Sequence, residues 1–127
     1  MYMDKSDWIL VDFFKPEEFA CTCCGEVKIS MKLVRILDKA RGKAGFPFAV
    51  SSGYRCPEYN ALIGGGPEHE LGLAADIVAR QSRTRYHVLF SVWEVHPINR
   101  IGVDRTFIHF GVGTIDDGLD ENVLWPY

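Results

Sequence analysis

"HELGLAADI", running from His69 to Ile77, decides how the chain is read. His69 and Asp76 bracket a glycine and a run of small apolar residues that ends as a buried strand does. On one continuous helix the two would share a face yet stand about 10 Å apart along the axis. That is too far for both to hold one ion at ligand distances of about 2 Å. Gly72 removes the obstacle, because a residue free to take positive φ lets the chain fold back between the two side chains. The stretch therefore reads as a loop carrying His69, a glycine turn, and a short strand, "LAADIVA", with Asp76 near its head.

Outward from this centre, the segments read as elements of one domain spanning residues 1–127. Ser30 caps a helix whose apolar positions Val34, Leu37, Ala40 and Ala44 recur at near-helical spacing, and Gly45 ends it. "FPFAVSSGY" reads as a short buried strand running into a turn. Pro57 opens a brief helix, "PEYNALI", which Gly64 to Gly66 stop. From Ser82 to about Val95 a second amphipathic helix is expected, with Tyr86, Leu89, Phe90 and Trp93 on one stripe. "RIGVDRTFIHFGVG" and "NVLWPY" are rich in β-branched and aromatic residues with glycine breaks, as antiparallel strands are. Helices packed on one small, mostly antiparallel sheet make the fold class α+β.

Composition excludes several functions. The chain has 127 residues, 47% hydrophobic and 24% charged, with a formal charge of −3. That is enough for a single core and no more. Acids and bases are interspersed, so no basic patch points to nucleic acid and no polybasic run to a membrane. No apolar run approaches the ~20 residues that span a bilayer, and the opening "MYMDKSDWIL" does not have the pattern of a secretory signal. A monomer that is cytoplasmic before release is the expectation.

A catalytic zinc site has three protein ligands and an open position, so His69 and Asp76 need a third. His87 falls on the polar side of the second helix and His96 precedes Pro97 at its end, which makes both surface residues. His109 differs. In "TFIHFGV" strand alternation puts Phe107, His109 and Gly111 on one face, and a histidine in so apolar a strand needs a buried partner, whether a ligand or a backbone carbonyl. The four cysteines, Cys21, Cys23, Cys24 and Cys56, leave three readings open: free thiols, a disulfide, or a structural metal site using half of a ribbon-like spacing.

"SGYRCPEYN" from Ser52, then "IGG", "HELGLAAD" and "IGVDRTFIH", taken in that order, resemble the zinc D-Ala-D-Ala carboxypeptidases of peptidase family M15, subfamily A, and the related phage murein peptidases. The family motif Ser-x-His-x-x-Gly-x-Ala-x-Asp is matched at His69, Gly72, Ala74 and Asp76, with Pro67 in the serine place. The resemblance covers about Phe19 to Tyr127 and implies a Hedgehog/DD-peptidase-like fold. It implies Zn2+ held by His69, Asp76 and His109, and a peptidoglycan stem peptide as substrate, acted on at the cell wall by a phage or prophage enzyme. It also implies that Arg55, in the "GYR" motif, binds substrate or stabilises an oxyanion. An ion pair of Arg55 with a nearby acid such as Glu58 is the structural alternative.

The chain departs from the pattern at three places: Pro67 replaces the serine, the loop between "IGG" and His69 is shorter than usual, and an acid is missing after the third ligand. Many relatives carry an acid two residues after the third ligand, where this chain has Gly111. Relatives also place a general base a few residues before that ligand; the nearest acid is Asp104, with Glu68 and Glu70 as substitutes. Counted along an unbroken strand, Asp104 would point away from His109, and a turn at Asp104-Arg105 would be needed to bring it back.

Overall fold

The computed structural model describes residues Met1–Tyr127. Two short 3₁₀ turns, Asp7–Leu10 and Pro16–Phe19, precede helix α1, Met31–Ala44. Ser30 accepts the Leu33 amide at the N-terminus of α1, and Gly45 closes it in the left-handed conformation. Strand β1 covers Val50–Ser52, helix α2 Pro57–Ile63, the single-turn helix α3 Pro67–Glu70, and strand β2 Ala74–Val78. Helix α4, Ser82–Val95, leads to β3, Arg100–Val103, β4, Phe107–Gly111, and β5, Val123–Pro126.

The strands form one sheet in the order β1-β2-β4-β3-β5. Three of its pairings are antiparallel, and β5 joins β3 in parallel. The α+β class with a mostly antiparallel sheet is therefore the observed one. The last strand departs from the antiparallel expectation because a connection through Ile115–Asp117 carries the chain back before β5 begins. No helix is long and apolar enough to cross a membrane.

Strand alternation divides the sheet chemically. Ala75 and Ile77 of β2, Ile101 of β3, and Ile108 and Phe110 of β4 face one side, where Leu33, Val34 and Leu37 of α1 and Val88 and Val92 of α4 pack on them. Ile77, Ile108 and Phe110 are fully buried there, each contributing about 2 kcal/mol of apolar transfer. The other side of the same strands carries Asp76, Gly102 and His109. One face makes the core, and its reverse makes the site.

Two packing expectations are corrected. Tyr86, Phe90 and Trp93 of α4 lie on its exposed side, and the core instead takes Val88 and Val92. The slim valines fit between α1 and the sheet, and the aromatic stripe is left to solvent. β1 is a half-buried edge strand of three residues rather than a buried one, since only β2 pairs with it.

Candidate metal centre

His69 lies on the one-turn helix α3, not on an irregular loop as the sequence suggested. The helix ends at Leu71, and Gly72, with φ of 72°, turns the chain into β2. The role expected of Gly72 is therefore observed. Its backbone also lies against the Lys28 carbonyl, where a Cβ would collide. Asp76 and His109 are direct cross-strand partners in the β2/β4 ladder. Facing residues on neighbouring strands share a side of the sheet, so the register brings these two together and the glycine turn delivers the third.

The result is a convergent donor set. Donor atoms of His69, Asp76 and His109 all lie within 4.8 Å of one another, and all three residues are buried. Asp76 Oδ1 stands 3.3 Å from His69 Nε2 and 3.1 Å from His109 Nδ1. Each imidazole is held at its far nitrogen. His69 Nδ1 donates to the Gly53 carbonyl at 2.8 Å, and because a carbonyl only accepts, that nitrogen carries the proton. His109 Nε2 donates to Glu68 Oε1 at 2.6 Å. In the neutral rings the lone pairs therefore sit on His69 Nε2 and His109 Nδ1, both turned toward Asp76. Anchoring the outer nitrogen to a carbonyl or carboxylate is how proteins prepare histidines for a metal. Three N/O donors of this kind fit Zn2+ with a position left open.

Charge reinforces the arrangement. Burial opposes ionisation of Asp76, but the hydrogen bonds and charges of His109 and His69 prevail and hold its carboxyl at about 2. Burial likewise opposes the Glu68 carboxylate, and His109 with Arg100 pulls it below the usual carboxylate range. His109 is disfavoured as a cation by its own burial, yet the Asp76 and Glu68 contacts raise it above the ordinary histidine value. These shifts belong to one coupled cluster.

Arg55 stands at the edge of this cluster. Its Nη2 lies 3.6 Å from Asp76 Oδ2, and its Nε donates to Ser52 Oγ at 2.9 Å. The acid beside it is thus the ligand candidate Asp76 and not Glu58. With His69, Glu68, Arg100 and Trp125, Arg55 lines a cleft of about 290 Å³. A larger depression of about 770 Å³, bordered by Arg35, Lys39 and Asp116, shares no residue with this cleft and holds no donor cluster.

Glu68 is the site residue that the sequence undervalued. Only 3% exposed, it reaches past His109 to accept the Gly113 amide at 3.1 Å. Arg100 Nε lies 3.0 Å away, but its N–H is not aimed at the carboxylate and has no hydrogen-bond acceptor. A Cβ built at Gly111 would fall inside the Glu68 carboxylate. The acid absent from position 111 is thus matched in space by one carried on α3. No local rule separates it from Glu70, since both flank His69 on α3 and only Glu68 turns to His109.

Asp104 is not brought to the donors. Its amide bonds to the Phe107 carbonyl in the β3–β4 turn, which sets it on the same side as His109. Its carboxylate, however, accepts from the Thr106 amide and hydroxyl, both at 2.9 Å, and it does not line the cleft. Glu70 Oε1 is near Asn60 Nδ2 at 3.4 Å, away from the donors. His87 and His96 are exposed, as expected of surface residues. No disulfide joins any two of the four cysteines.

The reverse of a small α+β sheet thus carries a buried His/Asp/His set with the donor chemistry of a metal centre. The chain matches the Peptidase M15 family model over residues 12–111, most of its length, and belongs to that family. It is accordingly a zinc-dependent metallopeptidase by family. No curated protein matches the chain.

Proposed function

We propose that the protein hydrolyses peptide bonds in peptidoglycan stem peptides in the manner of a D-Ala-D-Ala carboxypeptidase, with His69, Asp76 and His109 as its zinc ligands. The observation that carries this reading is the convergence of three buried donors whose two imidazoles are each tied at the opposite nitrogen. His69, Asp76 and His109 would hold a zinc ion whose contribution would be Lewis-acid polarisation of a peptide carbonyl and a water acidified toward a pKa of about 7.

The chain's own residues do the rest. Gly53 and Glu68 fix the orientation of the two rings that would hold the metal. Arg55 and Arg100 place two guanidinium groups on the walls of a small cleft. Such walls favour a substrate that carries a carboxylate, as a stem peptide does at its terminus. Arg55 keeps Nη2 near Asp76 and can share its fork with a substrate oxygen. Trp125, with its ring 5.2 Å from that of His109, closes the side of the cleft and restricts water.

The test is mass spectrometry of purified peptidoglycan after incubation with the protein, with chelator and with zinc restored. A zinc-dependent loss of terminal alanine supports the carboxypeptidase reading. Cleavage between L-alanine and D-glutamate would instead make it an endopeptidase. Release of nothing by zinc-loaded protein would overturn hydrolysis and leave a wall-binding or phage structural module.

A further inference from the structure

The second convergence of donors lies outside the cleft. Cys21, Cys24 and Cys56 bring their sulfurs within 4.8 Å of one another, with Cys21 and Cys56 buried and Cys24 exposed. A metal bound to thiolates at about 2.3 Å sets tetrahedrally placed sulfurs roughly 3.8 Å apart, so only a small adjustment separates this cluster from a ligand set. A disulfide, by contrast, would use two of the sulfurs and leave a third thiol pressed against the bond.

The backbone around Cys21 is folded as a metal-binding knuckle requires. "CTCCG" bends back on itself, the Gly25 amide donating to the Cys21 carbonyl and the Cys21 amide to the Glu26 carbonyl, both at 2.8 Å. Gly25 adopts φ of 76° to complete the turn. The Cys21 sulfur accepts the Cys56 amide at 3.3 Å. An N–H donated to a buried sulfur favours the thiolate, the form that binds metal. Cys23 is exposed on the same turn, outside the set of three converging sulfurs.

We propose that Cys21, Cys24 and Cys56 hold a structural zinc ion distinct from the His69/Asp76/His109 centre, with its fourth position on the exposed side of the turn where Cys23 and Cys24 lie. Binding releases the thiol protons to solvent and changes no oxidation state. The ion ties two segments that otherwise meet through few bonds. One is the turn after Phe19; the other is the Gly53–Cys56 loop, whose Tyr54 amide bonds to the Phe19 carbonyl at 2.9 Å. That loop supplies the Gly53 carbonyl to His69 and carries Arg55. The thiolate site thereby positions one side of the cleft from behind, without touching substrate.

The test separates this site from the catalytic one by using His69→Ala, which leaves the cysteines intact. The reduced variant is expected to retain one tightly bound zinc per chain. Loaded with Co2+ instead, it should show intense thiolate-to-cobalt absorption in the near ultraviolet. Adding Cys56→Ser or Cys21→Ser should abolish both. Because those substitutions alter buried residues and can impair folding, thiol titration of folded His69→Ala gives a second reading. Its thiols should react slowly until chelator is added, then rapidly. A zinc-free His69→Ala protein, cobalt binding without a thiolate band, thiols that react at once, or a mass two hydrogens short from a disulfide would each overturn the proposal. None of these readouts depends on peptidase activity.

Discussion

Glu68 Oε1 accepts the Nε2 proton of His109 at 2.6 Å, from a one-turn helix that also carries His69. One short element thus provides one donor directly and orients another through its neighbour. Glu68→Gln keeps the size of the side chain but removes the charge that fixes the His109 tautomer. We expect zinc affinity to fall roughly 10- to 100-fold, read by chelator competition, with the fold retained by circular dichroism. Unchanged affinity would remove Glu68 from the positioning role.

Gly111 has no room for a side chain while Glu68 is in place. Gly111→Ala should lower stability by about 1–3 kcal/mol through overpacking. In a Glu68→Ala background the same change should cost much less, giving a coupling energy well above ~0.5 kcal/mol in a double-mutant cycle. Additive effects would mean that the two positions do not compete for the same space.

His69→Ala and Asp76→Asn each remove one donor from a three-donor set. Both proteins should lose zinc from the cleft and lose peptide hydrolysis together, while keeping the helical signal. A variant with no cleft metal that still cleaved at the full rate would refute the assignment of these ligands.

The metal-free protein should weaken in acid. Asp76 is faced by His69, His109 and Arg55, and its carboxyl is depressed to about 2 in the folded chain. The stabilisation from its ionisation is fully present above the unfolded pKa of about 4 and disappears as pH falls through the folded value. The loss is on the order of 2 kcal/mol. Glu68 acts in the same direction. His109, raised in the folded state, works the opposite way: its contribution is complete below about 6.5 and declines as pH rises through the folded value. Urea unfolding of apo-protein across this range should show an acid loss that Asp76→Asn flattens. Parallel curves for the two proteins would count against the shift.

Asp104→Asn should leave turnover within a few-fold of the parent, because the Asp104 carboxylate serves the Thr106 turn and does not line the cleft. A loss of a hundredfold or more in kcat, with KM unchanged, would restore Asp104 as the general base.

What could be read in advance followed from strong local rules. Ser30 and Gly45 bounded α1, and Ser82–Val95 was recognisable from periodicity, because caps and helical spacing act within a few residues. The His69/Asp76 pairing was legible through Gly72, whose backbone freedom the turn needs. The sidedness of α4 was not. Tyr86, Phe90 and Trp93 and the buried valines each make a helical stripe, and only the space beside α1 decides between them. The parallel pairing of β5 also escaped, since strand direction is set by how a loop returns rather than by strand composition. The turn that Asp104 needed to return to the His109 side is present, since the chain reverses after β3 and sets Asp104 opposite Phe107.

β5 lies beyond the family-matched segment, which ends at Gly111. Pairing with β3 sets Trp125 opposite Gly102, so close that a Cβ on Gly102 would come within 2.5 Å of the indole. The indole also lies under the Arg100 guanidinium, 5.3 Å from ring centre to cation. A fragment trimmed to the recognisable family segment would therefore keep every proposed ligand and still lack a wall of its cleft. The cleft is thus built from two stretches of chain: the family segment carries the donors, Arg55 and Arg100, and the strand beyond it adds Trp125 against His109.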